Sequence, residues 1–210
     1  MRTLVTLLRH GQTDFNRDDR IQGRGIDAPL NETGLEQAIE AGFEIRAIRP
    51  VDVVVSSSLI RARQTAEAAT GLDIDRIPAL ADFDEMDYGA YEGIAVREQR
   101  RELADLYDAW ARGELKTRPP GGETPLDVKD RAWPALQRLL AEHAGRHILV
   151  VTHGRVIRIL SVLLAGMDLS RMGEMPHANG GFYHYSIDSE RIELLRRNHT
   201  AHLSNVLIHE

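Results

Sequence analysis

The chain has 210 residues, 42% of them hydrophobic and 28% charged, with a formal net charge of −6 and no cysteine. That length predicts one domain able to bury roughly 70% of its unfolded surface, and the missing cysteine excludes disulfides, thiol nucleophiles, Cys-ligated zinc and iron–sulfur clusters. The acidic balance argues against nucleic acid as a partner, which needs a basic face, but leaves room for a basic pocket that takes a small anion.

Thr3–Leu8 reads as a buried strand, followed by a glycine-punctuated loop through Gly23 and Gly25 to Pro29. A helix is predicted over 33–48, where Ala38, Ile39, Gly42, Phe43, Ile45 and Ile48 form an apolar stripe near the helical period. Val51–Val55 reads as a second strand, apolar enough after Asp52 to be covered on both faces, and 59–70 as the next helix. A short strand is predicted at 74–77. Asp82–Gly93, glycine-broken and rich in carboxylates, reads as a loop, and 94–112 as a helix that buries Leu103, Leu106, Tyr107 and Trp110. Thr124 is placed to cap a helix with Pro125 at its first position and Asp127 in its first turn. His147–Thr152 is a further strand, Gly154 opens a helix to Leu164, and Phe182–Ile187 with Ile192–Arg196 read as an antiparallel pair. This alternation predicts an α/β fold, a three-layer α/β/α sandwich around a mostly parallel sheet. It would be one domain over 1–210, with 86–123 as a lid insertion. The apolar run at Leu4–Leu8 is too short for a signal peptide, and no stretch approaches ~18 apolar residues. The expectation is a cytoplasmic protein with no membrane partner; its oligomeric state stays open, a homodimer included.

Two histidines stand directly before glycine at the ends of predicted strands: His10 in Leu8-Arg9-His10-Gly11 and His153 in Thr152-His153-Gly154. Open α/β sheets bind ligands at the carboxyl ends of their strands. Both histidines would therefore reach one edge, with the Arg9 guanidinium beside them as a fork of donors for phosphate oxygens and the amides around Gly11 and Gly154 as further donors. A neutral histidine can attack phosphorus when its other nitrogen donates to a backbone carbonyl. Taken alone, His10 is as readily a strand-end histidine in a structural hydrogen bond. Arg61 falls in the first turn of a predicted helix, where a cation is unfavourable without an anionic partner; Arg63 reads as a solvated residue paired with Glu67. A leaving oxygen needs a proton, and Asp82, Asp84, Glu85, Asp87 and Glu92 compete to supply it. Arg97, Arg100 and Arg101 read as a solvated face with Glu98 and Glu102, a basic lid edge toward substrate being the alternative. His143 and His147 are separated by a helix-breaking glycine, and His199 and His202 have no carboxylate framework, so no metal site is expected. Neither GxxxxGK[ST] nor a complete GxGxxG occurs, and no cofactor is called for.

RHGQTDFN at Arg9–Asn16, SSLIRARQTA at Ser57–Ala66, EMDYGAYEG at Glu85–Gly93, PGGET at Pro120–Thr124 and VTHG at Val151–Gly154, in this order, resemble the signatures of the histidine phosphatase superfamily, across nearly the whole chain. Carried over position by position, the resemblance implies that His10 is transiently phosphorylated. It implies that Arg9, Arg61 and His153 hold the phosphoryl group with Asn16, Gly11 and Gly154 assisting, and that Glu85 gives and then takes the proton. Gln22 and Gly23 fall where the family's first loop meets substrate, a small phosphate ester, and the chemistry needs no metal. The resembling phosphoglycerate mutases carry a longer insertion after the acid motif and a Gly-Trp in the first loop. Here that insertion is short and the loop reads Gly23-Arg24-Gly25, which favours a phosphomonoester hydrolase over a mutase. A non-catalytic phosphate-binding module is the third option.

Overall fold

Five segments form one mixed sheet in the computed structural model, which describes residues 2–204 and 206: β1 (Thr3–Arg9), β2 (Val53–Ser56), β3 (His147–Thr152), β4 (Phe182–Ile187) and β5 (Ile192–His199). Their order is β2-β3-β1-β4-β5. β1 and β2 each pair with β3 in parallel, β4 pairs with β1 antiparallel and β5 with β4 antiparallel, so only β4 runs against the others. The helices are α1 (Asp14–Arg17), α2 (Glu32–Ile48), α3 (Ile60–Thr70), α4 (Arg100–Ala111), α5 (Pro125–Glu142) and α6 (Gly154–Leu164).

The central strands are apolar on both faces because each face carries a helical layer. Val5, Leu7, Ile148 and Val150 point into one core with α4, α5 and α6; Leu8, Leu149 and Val151 point into the other, with Ala41, Ile45, Ala62, Ala66 and Ala69 of α2 and α3. Alternation at a period of two assigns neighbouring residues to opposite cores. The register then places the site: Leu8 pairs with Val151 and Arg9 with Thr152, so β1 and β3 end level and the next residue of each, His10 and His153, emerges at the same edge.

Several sequence expectations are corrected here. The segment 74–77 is not a strand: Ile74–Arg76 is a 3₁₀ turn capped by the Asp73 carboxylate, and the chain meets β2 only through a bridge between Ser56 and Ala79. β2 begins at Val53 and lies at the sheet's edge, with Val53 and Val54 only half buried. The buried stripe of α2 is Gly34, Gln37, Ala38, Ala41, Gly42 and Ile45, while Ile39 and Phe43 face outward and the Arg46 guanidinium lies 5.1 Å from the Phe43 ring. The helix expected from residue 94 starts at Arg100 after a 3₁₀ turn, and it buries Ala109 with Leu103, Leu106 and Trp110 while Tyr107 is partly exposed. Arg63 pairs with Asp75 at 3.2 Å rather than Glu67, whose carboxylate takes the Ile74 amide.

Between the sheet and α2 runs a polar chain. His147 Nδ1 donates to the Arg49 carbonyl at 3.1 Å, so its Nε2 accepts from Thr6 Oγ1 at 2.9 Å. The hydroxyl has one proton, so Thr6 in turn accepts from His184 Nδ1 at 2.8 Å. His184 Nε2 is left buried and unpartnered, the atom where a proton would have to add. Burial, helped by His147 and Arg196, pushes His184 down from 6.5 to about 4. The unfolded chain therefore binds this proton first as pH falls, and the stability contribution is full above 6.5 and lost on the way to about 4. The urea midpoint should fall between pH 7 and pH 4.5, with a shallower slope in His184→Asn; an unaltered slope in the variant would remove His184 from this role.

Candidate active site

β1 hands over to a turn that is fixed from below. Thr13 caps α1 in a reciprocal capping box with Asn16. Gly11 lies so close to α2 that a Cβ there would stand 2.1 Å from the Gly34 carbonyl oxygen, an approach only glycine allows. His10 Nδ1 donates to the Gly11 carbonyl at 2.7 Å. The neutral ring thus carries its proton on Nδ1 and keeps Nε2 as a lone pair. Burial first, then the charges of Arg61 and Arg9, hold His10 well below the ordinary histidine value of 6.5, which keeps that lone pair available at neutral pH. The Asn179 amide, donating to the His10 and Gly11 carbonyls at 3.1 and 3.3 Å, locks the turn from the other side. Asn16 Oδ1 accepts from Asn179 at 3.2 Å, leaving the Asn16 NH₂ as a donor at the cleft.

The His153 ring lies 5.0 Å from that of His10. Its Nε2 meets Ser57 Oγ at 2.7 Å, and Ser57 gives its single hydroxyl proton to Asp84 Oδ1 at 2.8 Å. His153 must therefore donate through Nε2, and its buried Nδ1 has no protein partner. In the free protein burial, then Arg61, hold His153 neutral, well below 6.5. A dianion beside Nδ1 would favour protonation, with the Ser57–Asp84 chain accepting the other ring proton.

Arg61 is fully buried, yet among the described residues it has no ion-pair partner of the kind its helix position suggested: its terminal amines donate to the Ile26 and Gly23 carbonyls at 2.8 and 3.1 Å, and Nε has no acceptor. Arg9 donates to the His177 carbonyl at 2.6 Å and also leaves Nε unpartnered. Burial pushes both guanidinium groups down to about 10, so both stay charged at neutral pH. One buried and one partly buried cation, two neutral histidines and unspent donors make a socket for a tetrahedral dianion.

Glu85 is buried at the mouth of this socket. One carboxylate oxygen takes the Met86 amide at 2.8 Å and the other the Arg155 amide at 3.2 Å, in the first turn of α6, where the helix dipole favours an anion. Its backbone is clamped by Arg131, which donates to the Glu85 carbonyl at 3.1 Å and the Asp82 carbonyl at 2.8 Å while paired with Glu123 at 3.0 Å. The Pro120–Thr124 motif thus acts on the acid from behind. Of the five acids that competed for the proton, Asp84 serves His153, and Glu92 takes the Tyr88 and Gly25 amides at 3.0 and 3.3 Å.

Arg9, Asn16, Gln22, Glu85 and Gly154 line a cleft of about 430 Å³. His10, Arg61 and His153 are buried beside it rather than along its wall. Gln22 presents a buried, unpartnered Nε2 after its Oε1 accepts from Thr13 at 2.8 Å. Two expectations change. The Gly11 amide is not free for an anion, because it donates to Thr65 Oγ1 at 3.0 Å, and Gly23 positions Arg61 through its carbonyl. Sequence reasoning missed Arg155, Arg158, His177 and Asn179, all of which line the cleft. Arg155, like Arg61, is a cation in a first helical turn, the sequence signal that could have found it. His177 and Asn179 lie in an irregular segment without a periodic signal.

The relay behind His153 is testable. Ser57→Ala should lower kcat about 10- to 100-fold, the worth of a charge-assisted hydrogen bond, with Asp84→Asn, which keeps an acceptor but loses the charge, in between. Histidine ¹⁵N NMR should show the Nε2–H tautomer of His153 in the parent and its loss in Ser57→Ala. An unchanged rate and tautomer would contradict the relay.

The model of the histidine phosphatase superfamily (branch 1) matches residues 5–200. The chain is 32% identical to the metal-independent phosphoserine phosphatase of Arabidopsis thaliana over 87% of its own length and 76% of the relative's. It is 34% identical to the uncharacterized phosphatase PhoE of Bacillus subtilis over 79% of each. The solved structure of a mycobacterial glucosyl-3-phosphoglycerate phosphatase with VO₃ superposes with a TM-score of 0.81 at 28% identity, covering 93% of this chain and 98% of that one.

Proposed function

The chain belongs to the histidine phosphatase superfamily, branch 1, and is a phosphomonoesterase; from that premise we propose how its residues divide the work. His10 Nε2 attacks the phosphorus of a small phosphate ester that enters as its monoanion and passes its proton to Glu85; the P–O bond to the alcohol breaks, and the leaving oxygen takes that proton from Glu85. The phosphoryl group then rests on His10, held by Arg9, Arg61, Asn16, the Gly154 amide and a protonated His153. Water enters, Glu85 takes its proton, the P–N bond breaks and phosphate leaves. Each phosphoryl oxygen meets a fixed donor, so positioning and charge stabilisation supply most of the acceleration.

The observation that carries this reading is the paired orientation of His10. Its Nδ1 is committed to a carbonyl 2.7 Å away and its ring is buried beside two cations, Arg9 and Arg61, that are held by backbone carbonyls rather than by ion pairs. Such a histidine is a nucleophile in waiting rather than a structural strand end. The 86–123 segment acts as a lid: Ile94, Ala95 and Val96 run alongside the first loop through bonds to Ile21, Arg20 and Asp19, and Leu103, Leu106 and Trp110 are anchored in the main core. The relatives' names include phosphoserine and glucosyl-3-phosphoglycerate as substrates, and small organic phosphates of that size are the class proposed here, for a protein working in the cytoplasm.

Phosphate release from such esters should continue in EDTA. His10→Ala should abolish it, Arg61→Gln should reduce kcat by about 10²–10³, and Glu85→Gln should reduce it by about 10²–10⁴ for an alkyl ester. With p-nitrophenyl phosphate, whose leaving group needs little protonation, Glu85→Gln should keep the initial burst of p-nitrophenolate and lose the steady-state phosphate release that follows. Full activity in His10→Ala would exclude the phosphohistidine route.

A further inference from the structure

Past the phosphoryl socket the cleft stays cationic. Arg155, Arg158, Arg20 and Arg100 line it against one carboxylate besides Glu85, that of Asp19, and none of the four takes part in an ion pair among the described residues. Arg155 is buried at 6% exposure. Its guanidinium lies 4.8 Å from the centroids of both the Tyr107 and Trp110 rings, and its Nε donates to the Tyr88 hydroxyl at 3.2 Å. The rings and the hydroxyl hold the group in place but leave its terminal amines without an acceptor among the described residues. Arg158, one turn further along α6, donates to His177 Nδ1 at 3.2 Å and has a buried, unpartnered Nε. His177 also accepts from Arg9 through its carbonyl, so a single residue bridges the phosphoryl arginine and this second group.

Withdrawing guanidinium groups from water without an ion-pair partner is unfavourable, and a fold tolerates this where a ligand brings the missing charge. The rigid fork of donors suits a planar or tetrahedral anion. We propose that Arg155 and Arg158, with Arg100 at the rim, form a second anion subsite, and that the substrate is a phosphomonoester carrying another anionic group, a carboxylate or a second phosphate, within a few bonds of the ester. This rests on the hydrolase reading and sharpens it: esters of neutral alcohols are the poorer ligands.

The test is calorimetric binding to His10→Ala protein, which reads affinity without turnover, using phosphoglycolate, ethyl phosphate and ethylene glycol bisphosphate at low salt. Phosphoglycolate or the bisphosphate should bind at least tenfold tighter than ethyl phosphate, and whichever is tighter identifies the second group. That preference should collapse in Arg155→Gln/Arg158→Gln. Arg100→Ala, at an exposed position, should weaken it a few-fold and covers the case in which the buried substitutions disturb folding. Equal affinity for all three compounds, or a preference that survives in the folded double variant, would overturn the subsite. Failure of the wild-type protein to hydrolyse any ester would instead overturn the hydrolase reading, while the binding preference would still stand or fall by itself.

Discussion

β1 and β3 pair in parallel and end level, and most of the site follows from that single register. Arg9 sits opposite Thr152, so one step further His10 and His153 leave the sheet side by side, their rings 5.0 Å apart. A shift of one residue would turn one histidine into the opposite layer. The register is held by two cores at once, since Val5 and Leu7 on one face and Leu8 on the other are fully buried. Each such side chain contributes about 1.5–3 kcal/mol of burial, so slippage would expose or misplace several of them together.

Around that pair the protein collects positive charge and declines to neutralise it. Arg9, Arg61, Arg155 and Arg158 are satisfied, where they are satisfied at all, by carbonyls, a tyrosine hydroxyl or a neutral histidine. Carbonyl dipoles hold a guanidinium in position without cancelling its field. The carboxylates are kept one layer back and used as tethers: Asp84 orients His153 through Ser57, and Glu123 fixes Arg131, which grips the backbone of Glu85. Two carboxylates line the cleft itself: Asp19, and Glu85 with both oxygens on backbone amides. A charge distribution of this kind is poorly compensated when the cleft is empty and well compensated when a phosphate ester fills it, which is preorganisation for a dianion rather than for folding stability.

Much of this was legible in the amino-acid sequence because it depends on local chemistry. Strands that run into His-Gly, a cation in a first helical turn, and a Thr-Pro-x-Asp helix start each have a physical signature readable within ten residues, and the α/β architecture follows from alternating periods. What was not legible depends on distance. His177 and Asn179 reach the site from an irregular stretch between α6 and β4, with no periodicity to single them out. The Gly11 amide looked free until the fold brought Thr65 to it. Phe43 and Ile39 fit the helical stripe of α2, but Gly42 approaches so close to α3 that a Cβ would lie 2.1 Å from the Ala69 carbonyl oxygen. That contact rotates the buried face onto small residues and turns the larger side chains outward. The short strand expected at 74–77 was lost to a single carboxylate, Asp73, which accepts the Asp75 amide and closes a turn instead.

If the phosphoryl group passes through His10, rapid quenching with a ³²P-labelled phosphomonoester will trap it there. A phosphoenzyme should form before phosphate is released, be stable in alkali and labile in acid as a phosphoramidate is, map to the peptide carrying His10, and be absent in His10→Ala. In Glu85→Gln it should form from p-nitrophenyl phosphate and persist, because the base for water is missing. Phosphate release with no trapped intermediate, or label on any residue other than His10, would contradict the account.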